Sequence, residues 1–121
     1  MRCTSWRLLA DNRYWYDVKF DWDGPACYEV GTGGPRGERI QPHYVGETTN
    51  ERRRIEAYAR HGSHLADVID DHLRRGWCLH YRAVSCDSKL AAKALQDRLL
   101  SRYEYDWNIV LNHRGYSAPT F

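Results

Sequence analysis

The sequence predicts a single α+β domain with a small, mainly antiparallel sheet of three core strands plus an N-terminal strand, flanked by three or more helices. Short stretches of alternating apolar residues, separated by glycine and proline, indicate the strands, and longer stretches with helical spacing indicate the helices. The chain has 121 residues, the length of one ordinary domain. Hydrophobic residues make up 42% and the mean hydropathy is −0.77, which is typical of a globular protein.

Composition excludes several classes of protein. No apolar stretch approaches the roughly 20 residues of a membrane-spanning helix, and none follows Met1 as in a secretion signal. We therefore expect a cytoplasmic protein without membrane contact. The cysteines contain no C-x-x-C pair, which favours buried thiols in a reducing compartment over a zinc module completed by histidines. They are Cys3, Cys27, Cys78 and Cys86.

The basic residues are strongly biased towards arginine. The net charge is only +2, but 15 arginines stand against three lysines. The planar guanidinium suits phosphate better than the compact ammonium of lysine does. Because the charges are spread evenly along the chain, a phosphate-binding surface would have to form on folding.

The N-terminal part is predicted to contain three strands. Arg13–Asp23 alternates aromatic with polar residues and predicts a half-buried strand. Ala26–Val30 and His43–Gly46 are predicted to form the two strands of a hairpin. The glycine-rich segment Gly31–Gly37 is interpreted as the tip of this hairpin. A phosphate-binding loop is less consistent with the sequence, because no Lys-Ser or Lys-Thr follows the glycines. The aromatic strand has three open roles: packing on the sheet edge, pairing with a second copy of the chain in a homodimer, or stacking on bases.

The remainder is predicted to be mainly helical. A helix capped near Asn50 runs to about Arg60, and a second one follows Ser63. The apolar stripe of the second helix comprises Leu65, Val68, Ile69, His72 and Leu73. A strand (Trp77–Val84), a long helix (Lys89 to about Tyr103) and a short segment (Asp106–Asn112) complete the chain. The predicted core residues of the long helix are Leu90, Ala94, Leu95, Leu99 and Leu100.

A composite motif runs through these elements. Its pieces are Ala26-Cys27-Tyr28, Tyr44-Val45-Gly46, Arg54 with Tyr58 one helical turn later, and Asn108 after the long helix. In this combination and spacing the chain resembles the GIY-YIG nuclease family over roughly Pro25–Leu111. The domain plan is therefore a single GIY-YIG-like domain, with residues 1–24 as an N-terminal strand extension, 25–111 as the core and 112–121 as a tail.

The resemblance implies a divalent-metal-dependent DNA endonuclease that hydrolyses a phosphodiester bond, with one Mg²⁺ or Mn²⁺ ion and DNA as partner. It implies that Tyr28 positions or deprotonates the attacking water and that Tyr44 aligns the water or the phosphate. Arg54 would neutralise charge on the phosphate oxygens. A free tyrosine has a pKa near 10, so its use as a base needs roughly 4 kcal/mol of help.

Further site residues follow from the same resemblance. Tyr58 joins the tyrosine cluster as a catalytic residue, while Arg53, His61 and Asn108 are expected on the substrate side. Asn108 is also expected to tie the last segment against the active-site helix through its amide. The acidic residues Asp67, Asp70 and Asp71 fit a solvated helix face better than a metal site.

Two positions depart from the family pattern. The family commonly has lysine or a small polar residue directly after its YIG motif, where this chain has Glu47. It has a metal-binding glutamate twelve residues before the asparagine, and here that position is Gln96, which lacks the charge that holds a hard cation. Gln96 is open to three explanations: an engineered substitution, a natural weak ligand helped by Asp97 or by phosphate, or loss of catalysis. A catalytically inactive DNA-binding or partner-recruiting module is therefore the alternative function.

Overall fold

The chain forms an α+β fold in the computed structural model, which describes residues 2–20, 22–60 and 63–113. These residues build a five-stranded sheet and four helices. The strands are β1 (Arg2–Cys3), β2 (Arg7–Ala10), β3 (Ala26–Gly33), β4 (Gln41–Thr48) and β5 (Cys78–Ser85). The helices are α1 (Glu51–Ala59), α2 (Ala66–Arg74), α3 (Lys89–Arg102) and α4 (Asp106–His113). The predicted fold class is confirmed.

The sheet is antiparallel and has β3 at its centre. Its order is β1-β5-β3-β4, and β2 pairs with β5 beside β1. Tyr28 of β3 lies opposite Gly46 of β4 on one side and Ala83 of β5 on the other. Cys27 likewise lies opposite Glu47. This register decides which side chains share a face, because successive residues of a strand point to opposite faces.

Two layers of helix cover the two faces of the sheet. On one face, Tyr28 and Tyr44 pack with α1, α2 and the residues that follow β2; we name this the tyrosine face. On the other face, Cys27 and Val45 pack with Leu95 and Leu99 of α3 and with Tyr105; we name this the α3 face. The buried residues of the tyrosine face include Ile55, Tyr58, Leu65, Ile69 and Leu73.

The first two helices begin and pack much as the sequence predicts. The side chain of Asn50 accepts a hydrogen bond from the backbone N–H of Arg53 at 3.0 Å and caps α1. Ser63 accepts one from the N–H of Leu65 at 3.0 Å, immediately before α2. Leu65, Ile69 and Leu73 are buried along one stripe, so the predicted amphipathic helix is confirmed.

The predicted strand over Arg13–Asp23 is wrong. The N-terminal strands are β1 and β2, and the described part of the aromatic segment is irregular except for a single bridge between Ala10 and Trp15. The carboxylate of Asp11 turns the chain by accepting hydrogen bonds from the backbone N–H groups of Arg13 and Tyr14, both at 2.8 Å.

The turn at Asp11 determines which side chains of the aromatic segment pack against the sheet. Trp15, Val18 and Phe20 pack against the core of the tyrosine face, while Tyr14 and Tyr16 are exposed. In a strand, Tyr14 and Tyr16 would lie on the same face as Val18 and Phe20, whereas here they lie on the solvent side. Since β1 and β2 already pair with β5, the segment covers the face of the sheet instead of extending its edge.

The predicted core of α3 is partly wrong. Leu90 is 80% exposed, and Ala94 and Leu100 are exposed as well. The helix packs instead through the stripe that contains Ala92, Leu95, Gln96 and Leu99. Leucine and alanine occur all around this helix, so their spacing alone could not fix which side faces the sheet.

The last described element is a full helix that lies along β4. The segment predicted only as short is α4, which continues to His113, beyond the predicted start of the tail at residue 112. Asn108 accepts a hydrogen bond from the N–H of Val45 at 3.0 Å and donates one to its carbonyl at 3.1 Å. The amide therefore ties α4 to a strand and not, as expected, to the active-site helix. Residues 114–121 of the predicted tail lie outside the described residues.

Two expectations about composition can be compared with the structure. Cys27, Cys78 and Cys86 are buried and unbridged, as expected for structural thiols. Among the described helices, none combines the length and the apolar character needed to cross a membrane.

We predict that Asn108→Ala lowers the free energy of unfolding by about 1–3 kcal/mol, because it leaves both backbone groups of the buried Val45 without partners. Chemical denaturation measures the effect. Asn12→Ala, an exposed loop position, is the control and should stay within about 0.5 kcal/mol of the parent. Equal midpoints for the two variants would show that Asn108 does not hold α4 in place.

Candidate functional site

Three tyrosines meet on the tyrosine face. The hydroxyls of Tyr28 and Tyr58 are hydrogen-bonded at 2.9 Å, and their ring centres are 6.2 Å apart. The ring of Tyr44 lies 6.2 Å from that of Tyr28 on the neighbouring strand. All three are buried. Residues from β3, β4 and α1 thus form one compact cluster, which we call the tyrosine cluster.

Gly46 makes room for this cluster. A Cβ atom at this position would lie 2.7 Å from the hydroxyl oxygen of Tyr28 and 2.9 Å from Cε2 of Tyr44. Atoms of these types cannot approach so closely, so any side chain at position 46 would push the rings apart. The close neighbours of Gly46 are therefore the two aromatic rings.

Arg54 lies beside the tyrosine cluster. It stands one helical turn before Tyr58 on α1 and is partly exposed, so its guanidinium has access to solvent. Its positive charge lowers the pKa of all three tyrosines against the larger effect of burial, which shows that it lies within electrostatic reach of each hydroxyl. The structure therefore brings together the four residues expected to be catalytic.

Burial decides the protonation state of these tyrosines. It raises the pKa of Tyr28 and of Tyr44, and it raises the pKa of Tyr58 well above 10. Each hydroxyl is consequently protonated at neutral pH and can donate a hydrogen bond. The expectation that Tyr28 deprotonates water is not supported by this environment.

His64 is a neighbour that the sequence did not reveal. Its ring packs edge-on against Tyr44 at 5.7 Å between ring centres. Burial, and then the charge of Arg54, lowers its pKa, so the imidazole is neutral at pH 7. It lies in the connection between α1 and α2, where no periodic pattern marks the residues that turn inward.

The residues expected on the substrate side do not form one group. Arg53 is exposed on α1, where it can reach a ligand in solvent. Asn108 is buried at the β4 edge with both ends of its amide bonded to Val45. His61 lies outside the described residues.

Gln96, expected at the metal position, lies in the other layer. It is 7% exposed on the side of α3 that faces the sheet, whereas Tyr28 and Tyr44 point to the opposite face. The adjacent Asp97 is exposed and forms an ion pair with Lys93 at 3.3 Å. Asp97 therefore points away from the packed side of α3 and does not assist Gln96.

Glu47 lies in the same layer as Gln96. It follows Val45 by two residues and lies opposite Cys27, so it belongs to the α3 face. The residue is 1% exposed, and its Oε2 atom is buried with no hydrogen-bond partner among the described residues. Burial, with added negative charge from Cys86, Glu29 and Glu47, raises the pKa of Cys27 to about 12.

These donors can be tested against a divalent cation. Within residues 2–20, 22–60 and 63–113, no group of three His, Cys, Asp or Glu side chains is arranged to hold a metal ion. Mg²⁺, however, is commonly bound by one or two carboxylates and completes its shell with water and substrate phosphate. Glu47 is 1% exposed and Gln96 is 7% exposed, so the packed layer gives water and phosphate no access, and these two residues do not fit such a site.

We predict that the unfolding free energy begins to fall near pH 9, where the unfolded chain releases the thiol proton of Cys27 that the folded chain retains, and falls more steeply above about pH 10. The unfolded chain releases the phenolic protons near pH 10, whereas the folded cluster retains them, so rising pH favours the unfolded state. Each tyrosine that stays protonated in the folded chain lowers the free energy of unfolding by about 1.4 kcal/mol per pH unit above 10.

Urea unfolding of the parent and of Tyr58→Phe at several pH values measures this dependence. The Tyr58→Phe variant should lose stability less steeply above pH 10, and Tyr14→Phe, at an exposed tyrosine, is the matched control. The same slope for the parent and for Tyr58→Phe would contradict the protonated state of the cluster.

Part of the chain matches a known family of domains. The model of the GIY-YIG domain, described as GIY-YIG domain-containing protein, matches residues 66–118. This match includes Gln96 and Asn108, while the tyrosine cluster and Arg54 precede it. No solved structure gives a significant match.

Two curated plant proteins are similar over most of the chain. Protein EFFECTOR OF TRANSCRIPTION 2 from Arabidopsis thaliana is 25% identical over 87% of this chain and 30% of its own length. Protein EFFECTOR OF TRANSCRIPTION 3 from the same plant is 30% identical over 90% of this chain and 50% of its own length. The chain thus spans between 30% and 50% of the length of these relatives. The domain match over residues 66–118 and the α+β fold are consistent with the resemblance that the motif indicated, the resemblance to the GIY-YIG family.

Proposed function

We propose that the domain is a divalent-metal-dependent DNA endonuclease that binds a backbone phosphate at Arg54 and hydrolyses a phosphodiester bond. The observation that carries the proposal is the position of Arg54, a partly exposed cation beside three buried, protonated hydroxyl groups. The match to the GIY-YIG domain supports the same class of chemistry.

Arg54 is suited to bind the phosphate and to stabilise charge during the reaction. A guanidinium forms two parallel hydrogen bonds to phosphate oxygens, which fixes both position and orientation. The apolar cluster beneath it limits solvation on one side, so its charge acts more strongly on a phosphate than a fully solvated arginine would. Negative charge that develops on the phosphoryl oxygens is therefore stabilised in the transition state.

The tyrosines act in this proposal as fixed neutral donors and not as bases. The hydrogen bond between Tyr28 and Tyr58 joins the central strand to α1 directly beside Arg54. Because α1 carries both Tyr58 and Arg54, this bond limits rotation of the helix and keeps the guanidinium in one place. Tyr28, Tyr44 and Tyr58 thus position the arginine that contacts substrate.

A divalent cation bound with the substrate would supply positive charge against phosphate oxygens and make water more acidic. The described residues offer no site for it beside Arg54, because Glu47 and Gln96 are buried on the α3 face, the opposite side of the sheet.

An alternative proposal is a domain that binds DNA without cutting it. Two facts favour it: glutamine replaces the family's metal-binding glutamate at position 96, and the two relatives are named as effectors of transcription. In this case Arg54 would still bind phosphate, and cleavage would be absent with every divalent ion.

We predict that Arg54→Ala lowers the rate of nicking of supercoiled plasmid DNA with Mn²⁺ by about 10²–10³-fold, the usual effect of removing one charge-stabilising donor. Gel separation of nicked from supercoiled DNA measures the rate, and fluorescence anisotropy measures binding. Arg98→Ala on the exposed side of α3 is the control and should nick like the parent.

The two proposals give different patterns in this experiment. Nicking that Arg54→Ala abolishes supports the endonuclease. Binding that Arg54→Ala weakens, without nicking by the parent, supports the alternative. Nicking that is unchanged in Arg54→Ala contradicts the assignment of Arg54 altogether.

A further inference from the structure

A cavity lies between α1 and the aromatic segment that follows β2. Its volume is about 350 Å³, within the size range of small-molecule sites. The buried side chains of Leu9 and Ile55 line its floor, and the partly buried Trp15 and Phe20 contribute two aromatic rings. No step of the proposed reaction uses this cavity.

The rim of the cavity is polar and exposed. Asp17 of the aromatic segment lies on one side, and Glu56 and Arg60 of α1 lie on the other. Ala59 lines the cavity between these two residues of α1, and its small side chain leaves the entrance open. Both carboxylates are in contact with solvent, so their oxygen atoms can accept hydrogen bonds from a ligand.

Aromatic rings beside carboxylates suit an unpaired nucleobase. Bases that have left a duplex stack on aromatic side chains, and their edges are recognised by hydrogen bonds. Carboxylate oxygens accept hydrogen bonds from an exocyclic amino group such as N4 of cytosine. A base inside a duplex cannot enter such a cavity, because its faces are stacked and its edge is paired. The lining therefore favours a base that is already unpaired.

Positive charge around the cavity disfavours a cationic ligand. Arg60 lines the cavity, and the guanidinium of Arg52 lies 5.6 Å from the centre of the Phe20 ring. A ligand cation would seek the same position over an aromatic face. The phosphate of a nucleotide, in contrast, is attracted by these arginines.

A cationic cleft adjoins the cavity. Asp17 and Val18 line both of them, and the cleft, with a volume of about 340 Å³, is also lined by Arg7 and Lys19. Nη1 of Arg7 donates a hydrogen bond to the backbone carbonyl of Lys19 at 2.8 Å, which fixes the guanidinium beside this segment. A nucleotide whose base occupies the cavity thus has two cations nearby for its backbone phosphate.

Arg54 and the cavity lie on opposite flanks of α1. Each helical residue is turned by about 100°, so Arg54 lies about 160° from Glu56 and about 140° from Ala59 around the axis. The exposed Arg53 and Arg60 lie on the crest between the two flanks. The width of a helix, about 10–12 Å, corresponds to about three stacked nucleotide steps of 3.4 Å. A strand bound at Arg54 can therefore reach the cavity with a base about three nucleotides away.

We propose that this cavity binds one unpaired nucleobase with an exocyclic amino group, in a DNA strand whose phosphate is held at Arg54. The base stacks on the aromatic lining, and its amino group donates a hydrogen bond to Glu56 or Asp17. The domain consequently prefers DNA with a bulged base to a fully paired duplex. The inference rests on the proposed function for DNA as the ligand, but the preference can be measured without cleavage.

Fluorescence anisotropy in the presence of EDTA, which prevents metal-dependent cleavage, measures binding to four duplexes. One duplex is fully paired, and the others carry a bulged cytosine, a bulged thymine or a bulged abasic sugar. We expect the bulged cytosine to bind at least about fivefold more tightly than the paired duplex and the abasic bulge, because one base stacks on aromatic side chains. The thymine bulge should be intermediate, since thymine has no amino group.

Two variants test the cavity itself. Ala59→Phe fills the entrance from an exposed helical position, so it should remove the preference for the cytosine bulge and keep the affinity for the paired duplex within about twofold. Ala94→Phe, at an exposed alanine of α3, is the matched control and should keep the preference.

The second variant removes both acceptors at the rim. The double substitution Asp17→Ala and Glu56→Ala should bring the cytosine and thymine bulges to equal affinity. Because the loss of two negative charges changes the affinity for every duplex, the ratio between the two bulges is the quantity compared. Glu104→Ala, at an exposed carboxylate before α4, is the control.

Specific results overturn the inference. Equal binding of the cytosine bulge and the paired duplex by the parent does so, and so does equally tight binding of the abasic bulge, because the bend and not the base would then be recognised. A preference that Ala59→Phe retains places the base elsewhere. If Ala59→Phe does not fold, as judged by circular dichroism, an unchanged cytosine-to-thymine ratio in the double variant has the same consequence.

Two further outcomes separate this inference from its alternatives. If the cavity binds a cation instead, tetramethylammonium chloride raises the melting temperature of the parent above its value in equal sodium chloride, but not that of Ala59→Phe, and this result overturns the inference. A preference for the cytosine bulge without any nicking activity would overturn the proposed endonuclease and leave the inference intact, whereas nicking without this preference would do the reverse.

Discussion

The contact between Tyr28 and Gly46 is the constraint on which the rest of the site depends. The hydroxyl of Tyr28 occupies the space where a side chain of residue 46 would stand, so the two strands fit together in only one register. A slip by one residue would place Val45 or Glu47 against the phenol and exchange the faces of β4. The hairpin register therefore fixes the tyrosine cluster, the position of α1 above it and the placement of Arg54.

The same register divides the chemistry of the domain between two layers. Protonated phenols and the guanidinium of Arg54 lie on the tyrosine face, while the buried carboxylate of Glu47 lies on the α3 face. β4 lies at the edge of the described sheet, so at this edge a single strand lies between the groups on one face and those on the other. Asn108 closes part of this edge through Val45, which holds α4 beside the strand that carries both sets of groups.

Sequence patterns predicted the parts of the fold that local physics determines. The cap at Asn50 and the stripe of α2 depend on neighbouring residues, and the four-residue spacing of Arg54 and Tyr58 puts both on one side of α1. Segments whose structure depends on distant contacts were predicted wrongly. The turn at Asp11 prevents the aromatic segment from forming a strand. Apolar residues occur on all sides of α3, so their spacing does not show which side packs on the sheet. His64 and Glu47 acquire their surroundings only when separate elements meet, so no spacing in the chain could reveal them.

Charge explains why glutamine at position 96 and glutamate at position 47 suit each other. Two carboxylates in one buried layer repel each other, and without a cation one of them would have to take up a proton. A single carboxylate on β4 with a neutral amide on α3 avoids this repulsion, because the amide keeps its oxygen donor and carries no charge. The departures at positions 47 and 96 therefore add one carboxylate to the layer between the sheet and α3, and not two.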